Sequence, residues 1–222
     1  MAFSAVRVTN GTTVSECDRA ALAAIHDAAF PPEERYWPFE KIFEWVGQEG
    51  VELWILRRWG EAAGYITLQE VPTDRLVYLW YLAAAPDRRN AGLGAFGIRT
   101  VLADLAARAK PPVAVFFDAR APEGEDTAAP KNVFRRRRLS WYRQLGAYWL
   151  KGLDYPAVAA NDAGEEYPCY ILFFRIAGMP DEALVRLGAI AIAAYFFAPD
   201  DPRRQRLVKS FETMEVIPPT GV

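Results

Sequence analysis

The sequence is poor in metal- and redox-type side chains, with one histidine and two cysteines in 222 residues. Cys17 and Cys169 lack the spacing of a metal site or a dithiol pair, so both are expected to be free thiols in a reducing compartment. No metal site is expected. His26 falls mid-helix in the pattern, where a lone histidine serves the core or the surface rather than catalysis. Neither charge sign dominates: 26 basic residues face 28 acidic ones, a net charge of −2, which gives no general case for nucleic-acid binding. Long apolar runs are missing too. Gly188 to Ala198 is apolar but too short for a bilayer, which takes about twenty residues, so no membrane partner is expected. Met1 to Arg7 has no basic segment ahead of a long apolar one and is not read as a signal peptide, and a cytoplasmic location is the expectation. No internal repeat is visible. What the chain does have is an apolar fraction of 52%, with seven Trp and thirteen Phe, ample for a core. Its length suits one domain with an appendage.

The most informative stretch is Leu76 to Lys110. The run from Leu76 to Ala84 is apolar and strand-like, and Ala85 to Ala91 forms a turn. Gly92-Leu93-Gly94 then leads into a helical run in which Ile98, Val101, Leu102 and Leu105 fall at i, i+3, i+4 and i+7. Strand, glycine-rich turn and helix start together make an anion cradle. The first N–H groups of a helix have no partner within it, the macrodipole favours negative charge, and glycines let a phosphate approach the backbone. A phosphate-bearing ligand is expected.

Two motifs overlap there. Gly92 to Gly97 reads G-x-G-x-x-G, and Asp118 ends a second apolar run where an acidic ribose ligand would sit, which together suggest a dinucleotide-linked oxidoreductase. Arg89 to Gly94 reads R-x-x-G-x-G. Spacing favours the second, because a dinucleotide fold sets its first glycine almost directly after the strand, whereas Ala85 to Ala91 intervene here. Leu82-Ala83-Ala84-Ala85-Pro86-Asp87-Arg88-Arg89-Asn90-Ala91-Gly92-Leu93-Gly94 resembles the acyl-CoA-binding motif of the GNAT superfamily of N-acyltransferases. The resemblance runs from about Phe3 to Ile176. It implies that Arg89, Asn90, Ala91, Gly92, Leu93, Gly94 and Ala95 surround the CoA pyrophosphate, and that Leu82, Ala83 and Ala84 border the pantetheine arm. Acetyl-CoA is the implied co-substrate.

Along the chain, Phe3 to Thr9 is expected as a strand and Ser15-Glu16-Cys17-Asp18 as a capping box. Leu22, Ile25, Ala29 and Phe30 mark a first helix, and a second begins with Pro38. Val51 to Arg57 and Ala62 to Gln69 form a hairpin, and Pro112 to Asp118 is a further strand. Val133 to Leu145 is a helix stopped by Gly146, and Ala147 to Leu153 and Tyr167 to Ile176 are the last two strands. The order β-α-α-β-β-β-α-β-α-β-β is that of the GNAT fold, an α/β (α+β) fold with a mixed sheet. The expected division is a GNAT-like domain over 1–176 and a helical extension over 177–222. In the extension Leu184, Leu187 and Ala191 are expected to be buried on one helix, and Leu207, Val208 and Phe211 on another.

The implied reaction is attack of an amine on a thioester. The amine must lose a proton and the departing thiolate should gain one. A thiol has a pKa of about 8.5 and a phenol of about 10, so a tyrosine near the sulfur can donate. Trp141 to Ala147 resembles the family's second signature, in which a Tyr four residues before a Gly is the acid, here Tyr142. Two family positions differ, since Arg135 and Arg138 stand where Asn and Ala are common. Tyr78 occupies the strand position at which several members carry a basic Glu or His, so the base is sought elsewhere, in Glu33 and Glu34, with Asp118 second. Tyr36, Trp37, Tyr78 and Trp80 are expected to line an aromatic acceptor pocket, which favours a small amine over a protein lysine. A CoA-binding module without turnover is the other alternative to the oxidoreductase. The apolar stretch Leu184 to Phe197, with Leu184, Leu187, Ala191 and Tyr195 on one face, suggests a homodimer.

Overall fold

The computed structural model describes residues 3–30, 37–48, 50–71, 75–124, 126, 128–158, 166–176, 188 and 197–220. Glu33, Glu34 and Tyr36, and the tail residues Leu184, Leu187, Ala191 and Tyr195, lie outside the described residues. The chain divides into two compact units. One is built mainly from Met1–Glu70 and Val77–Lys110, the other from Val71–Leu76, Pro111–Val158 and Glu165–Val222.

In the first unit the strands run in the order β1 (Phe3–Val8), β2 (Val51–Arg58), β3 (Glu61–Val71), β4 (Leu76–Ala84). β1 pairs antiparallel with β2 from Phe3↔Arg58 to Val8↔Leu53, and β2 with β3 from Val51↔Gln69 to Arg58↔Glu61. The β2–β3 turn sets Trp59 and Gly60 at φ 51° and 88°, a left-handed pair whose twist matches that of the strands. Helix α1 (Glu16–Ala29) starts at Ser15, whose hydroxyl oxygen accepts from the Asp18 N–H at 3.1 Å, as the capping pattern predicts. Helix α2 (Phe39–Trp45) begins one residue later than expected, with Pro38 as an extended N-cap. Leu22, Ile25, Phe39, Ile42, Leu53, Ile55, Tyr65 and Tyr81 close a core among these elements. Helix α3 (Leu93–Ala107) buries Leu93, Ile98, Val101 and Leu105. A Cβ on Gly97 would stand 2.6 Å from Leu56 Cδ1, so the third glycine of the G-x-G-x-x-G pattern serves close packing on β2.

Charge is ordered at the edges of this unit. Arg57 on β2 donates to both Asp18 oxygens, at 3.0 and 2.6 Å. These hydrogen bonds hold the Asp18 carboxyl below its ordinary 3.8, against the upward push of burial. A depressed carboxylate stabilises the fold above its unfolded pKa, and that contribution is lost as pH falls through the lower folded value. Asp18→Asn should therefore lower Tm at pH 7 by about 2–4 °C, the shift that about 1 kcal/mol gives in a chain of this size. The difference from the native chain should shrink below pH 3.8. A scan series that keeps the same difference down to full protonation would show that the charge is not what Asp18 contributes.

In the second unit the strand order is β5 (Ala114–Arg120), β7 (Glu166–Arg175), β6 (Tyr148–Val158), β8 (Glu215–Ile217). β5 starts two residues after the expected Pro112 and pairs antiparallel with β7 from Ala114↔Arg175 to Arg120↔Cys169. Helix α4 (Pro130–Gln144) starts ahead of Val133 because Pro130 takes the first turn, where its missing N–H costs nothing. It is stopped by Gly146 at φ 100°. Helix α5 (Pro202–Ser210) is capped by Asp201, which accepts from the Arg203 N–H at 2.8 Å. Leu207 and Phe211 are buried as expected, but Val208 is 42% exposed, since adjacent helical residues point about 100° apart. β8 pairs with β6 from Trp149↔Ile217 to Lys151↔Glu215, a strand not anticipated for the tail. The strands and helices match the expected α/β class. Among the described residues no helix is long and apolar enough to cross a membrane.

Candidate active site

The cradle is built in the first unit by the end of β4 and the start of α3. Leu82 and Ala84 are half-buried on one face of β4, while Ala83 is buried on the other. Pro86–Arg88 then makes one 3₁₀ turn, Asn90 takes a left-handed φ of 61°, and Gly92 caps α3 at φ 87°, ψ −1°. Among the described residues the nearest atom to a Cβ on Gly92 would be in Phe3, 3.9 Å away, so none of them fills the space over this turn. The N–H of Phe96 donates to Gly92 O at 2.9 Å. The N–H groups of Leu93, Gly94 and Ala95 precede it in the first turn, where helix geometry supplies no acceptor. An anion with several oxygens suits that arrangement. The Arg89 side chain is directed elsewhere: its guanidinium donates to Ala84 O at 3.4 Å and Ala28 O at 3.3 Å, tying the C-terminal end of α1 to the end of β4.

The same unit holds a pocket lined by Trp37, Ile42, Trp45, Val51, Thr67 and Trp80. The expected pair Trp37 and Trp80 is thus brought together, with Trp45 and Thr67 as additions. Tyr78 is buried edge-on to Trp80, ring centres 5.8 Å apart. Trp80 Nε1 donates to Gln69 Oε1 at 2.9 Å. His26 is fully buried and supports the backbone of Trp37. Its Nε2 faces the Trp37 carbonyl at 3.0 Å; a carbonyl only accepts, so Nε2 carries the proton, and Nδ1 accepts from the Tyr65 hydroxyl at 2.5 Å. The Trp37 N–H donates to Tyr81 Oη at 2.9 Å. Both backbone polar groups of Trp37 are therefore held by buried side chains. The single histidine is a core group, as its mid-helix position suggests.

In the second unit Tyr142 is buried on α4, its ring 4.6 Å from that of Phe117. Burial pushes its phenol up from 10.0; Arg138, one turn earlier, acts in the opposite direction, and Asp118 adds to the rise. Asp118 also accepts a hydrogen bond from the buried Cys169 thiol, whose pKa is raised well above 9.0 by burial first and by Asp118 second. Tyr142, Asp118, Arg138 and Cys169 thus form one electrostatic cluster, of which Cys169 was not anticipated. The buried arginine of the Arg135–Arg138 run is Arg135, 4% exposed. It donates to Ala121 O at 3.2 Å and lies 3.3 Å from Glu123. Burial raises the Glu123 carboxyl, but Arg120 and Arg135 together hold it below 4.5.

Residues 19–119, from α1 through nearly all of β5, match the model of the acetyltransferase (GNAT) family. The match takes in 101 of the chain's 222 residues. No curated protein matches the chain at a significant level. Among solved structures, a protein of Bacteroides thetaiotaomicron assigned to the GNAT family aligns with TM-score 0.59 and 18% identity, over 89% of this chain and 100% of its own. The aminoglycoside 6′-N-acetyltransferase of Enterococcus faecium aligns with TM-score 0.56 and 16% identity, over 82% and 100%. The ribosomal-protein-S18-alanine N-acetyltransferase of Escherichia coli aligns with TM-score 0.50 and 17% identity, over 81% and 98%. At these identities the likeness is one of fold. It assigns the β4–turn–α3 segment to the GNAT architecture rather than to a dinucleotide domain.

Proposed function

We propose that this chain is a GNAT enzyme that transfers the acetyl group of acetyl-CoA to the amine of a small molecule, with Tyr142 as the general acid. The observation that carries the donor assignment is the turn at Asn90 to Gly92, which leads directly into the free amides of α3. Leu93, Gly94 and Ala95 would hold the pyrophosphate through their N–H groups, and Leu82 and Ala84 would border the pantetheine arm. Acetyl-CoA supplies an activated thioester. The amine nitrogen bonds to its carbonyl carbon, the C–S bond breaks, and the sulfur takes the Tyr142 proton. Burial favours the neutral phenol, so Tyr142 is protonated at neutral pH and ready to donate. The excess proton of the amine passes to a carboxylate, for which Glu33, Glu34 and Asp118 are the candidates. Trp37, Tyr78 and Trp80 favour a small acceptor with an aromatic or apolar body.

Free-thiol release from acetyl-CoA upon addition of single primary amines tests this assignment. The expected result is release with a subset of small amines and none without amine. A protein that binds CoA and releases no thiol with any amine would instead be a CoA-binding module.

A further inference from the structure

We propose that Arg138 is a positioning residue for the general acid: its guanidinium stands beside Tyr142 to stabilise the phenolate that the acid becomes when its proton leaves for the CoA sulfur. This deepens the acetyl-transfer proposal and rests on its assignment of Tyr142. In the proton step the O–H bond of Tyr142 breaks, an S–H bond forms on the departing thiolate, and the phenol oxygen keeps the electron pair as a negative charge. Tyr142 is buried, with its ring packed on that of Phe117. A charge left in such surroundings is costly unless a counter-charge is already in place.

Helix α4 supplies that counter-charge. Phe134, Arg138 and Tyr142 follow one another at four-residue spacing and so share one stripe of the helix. Helical side chains lean toward the N-terminus, so Tyr142 leans back over the turn that carries Arg138, and Arg138 over the turn that carries Phe134. The Arg138 guanidinium carbon lies 5.7 Å from the Phe134 ring centre, and its Nε is buried with no hydrogen-bond partner. Arg135 on the same helix differs: it donates to Ala121 O and lies 3.3 Å from Glu123. Contacts that build the fold account for Arg135 and leave the Arg138 Nε–H without one.

The groups that act on Tyr142 oppose one another. Burial raises its phenol above 10.0, Arg138 on its own helix lowers it, and Asp118 on β5 raises it; Asp118 in turn accepts from the Cys169 thiol on β7. Proton transfer from such a phenol to a sulfur whose thiol has a pKa of about 8.5 runs uphill, tenfold for each pKa unit between them. A fixed cation one turn away reduces that gap at the moment the proton moves.

Tyr142→3-fluorotyrosine gives this position a fluorine NMR signal of its own among the ten tyrosines, on a phenol acidic enough to titrate at milder pH. In the full chain, Arg138→Met should raise the midpoint of that signal by about one pH unit, tenfold in the ionisation constant, and Arg138→Lys, which keeps the charge, should bring it back toward the native value. Arg138→Gln takes the place of Arg138→Met if the latter does not fold. In steady-state assays with an accepted amine, Arg138→Met should lower kcat about three- to tenfold with acetyl-CoA affinity held within about twofold, and should cost nothing further in a Tyr142→Phe chain. An unmoved midpoint, or the same kcat loss with and without the Tyr142 hydroxyl, would overturn the role of Arg138. Weaker acetyl-CoA binding with an unmoved midpoint would make Arg138 a donor-binding residue instead. If Tyr142→Phe itself keeps native kcat, or if no amine is acetylated, it is the acetyl-transfer proposal that falls, and this inference with it.

Discussion

Gly94→Asp should abolish useful acetyl-CoA binding while leaving the fold intact. Gly94 is the second residue of α3, half-exposed beside the turn at Gly92. An aspartate there sets a negative charge against the pyrophosphate. Two unit charges about 4 Å apart at an effective dielectric of 20 repel by about 4 kcal/mol, roughly a thousandfold in Kd. The same carboxylate lies in the first turn of a helix, where the macrodipole favours it, so stability should not suffer. Calorimetry and a melting curve on the same sample separate the two effects. Native-like affinity in a folded Gly94→Asp chain would move the donor site away from this turn.

Tyr142→Phe should lower kcat by about 10²–10⁴, the usual contribution of a positioned acid, with little change in acetyl-CoA affinity. The ring stays packed on Phe117, and only the proton is lost. Because burial raises the phenol above 10.0, ionisation of Tyr142 should not limit the native enzyme below that pH. Steady-state rates between pH 6 and about 9, a range that brackets the thiol pKa, should show the deficit throughout. A variant with native kcat across that range would remove Tyr142 as the acid.

Much of this architecture is legible locally. The apolar run of β4, the glycine-bearing turn before α3 and the spacing of Ile98, Val101 and Leu105 are all short-range signals, and each lies where the pattern puts it. The Ser15 cap is equally local. Features created by long-range contact are less legible. Thr67 on β3 meets Trp45 on α2 only after the chain has folded, and neither carries a motif. The hydrogen bond between Cys169 and Asp118 depends on the pairing of β5 with β7. The early start of α4 turns on Pro130, which reads equally well as a loop residue in a polar stretch. β8 is three residues long, too short to show alternation, and its place is set by pairing with β6. Val208 looks like part of an apolar face because it adjoins Leu207, yet it turns toward solvent.

The most direct measurement follows both products of one reaction. Incubating the full chain with acetyl-CoA and a panel of small primary amines, then quantifying free CoA and N-acetylated amine by mass spectrometry, should give the two in equal amounts for at least one acceptor. Both products should fall together in Tyr142→Phe. Acetyl-CoA that remains intact across the panel, or CoA released without any acetylated amine, would contradict acetyl transfer to a small amine.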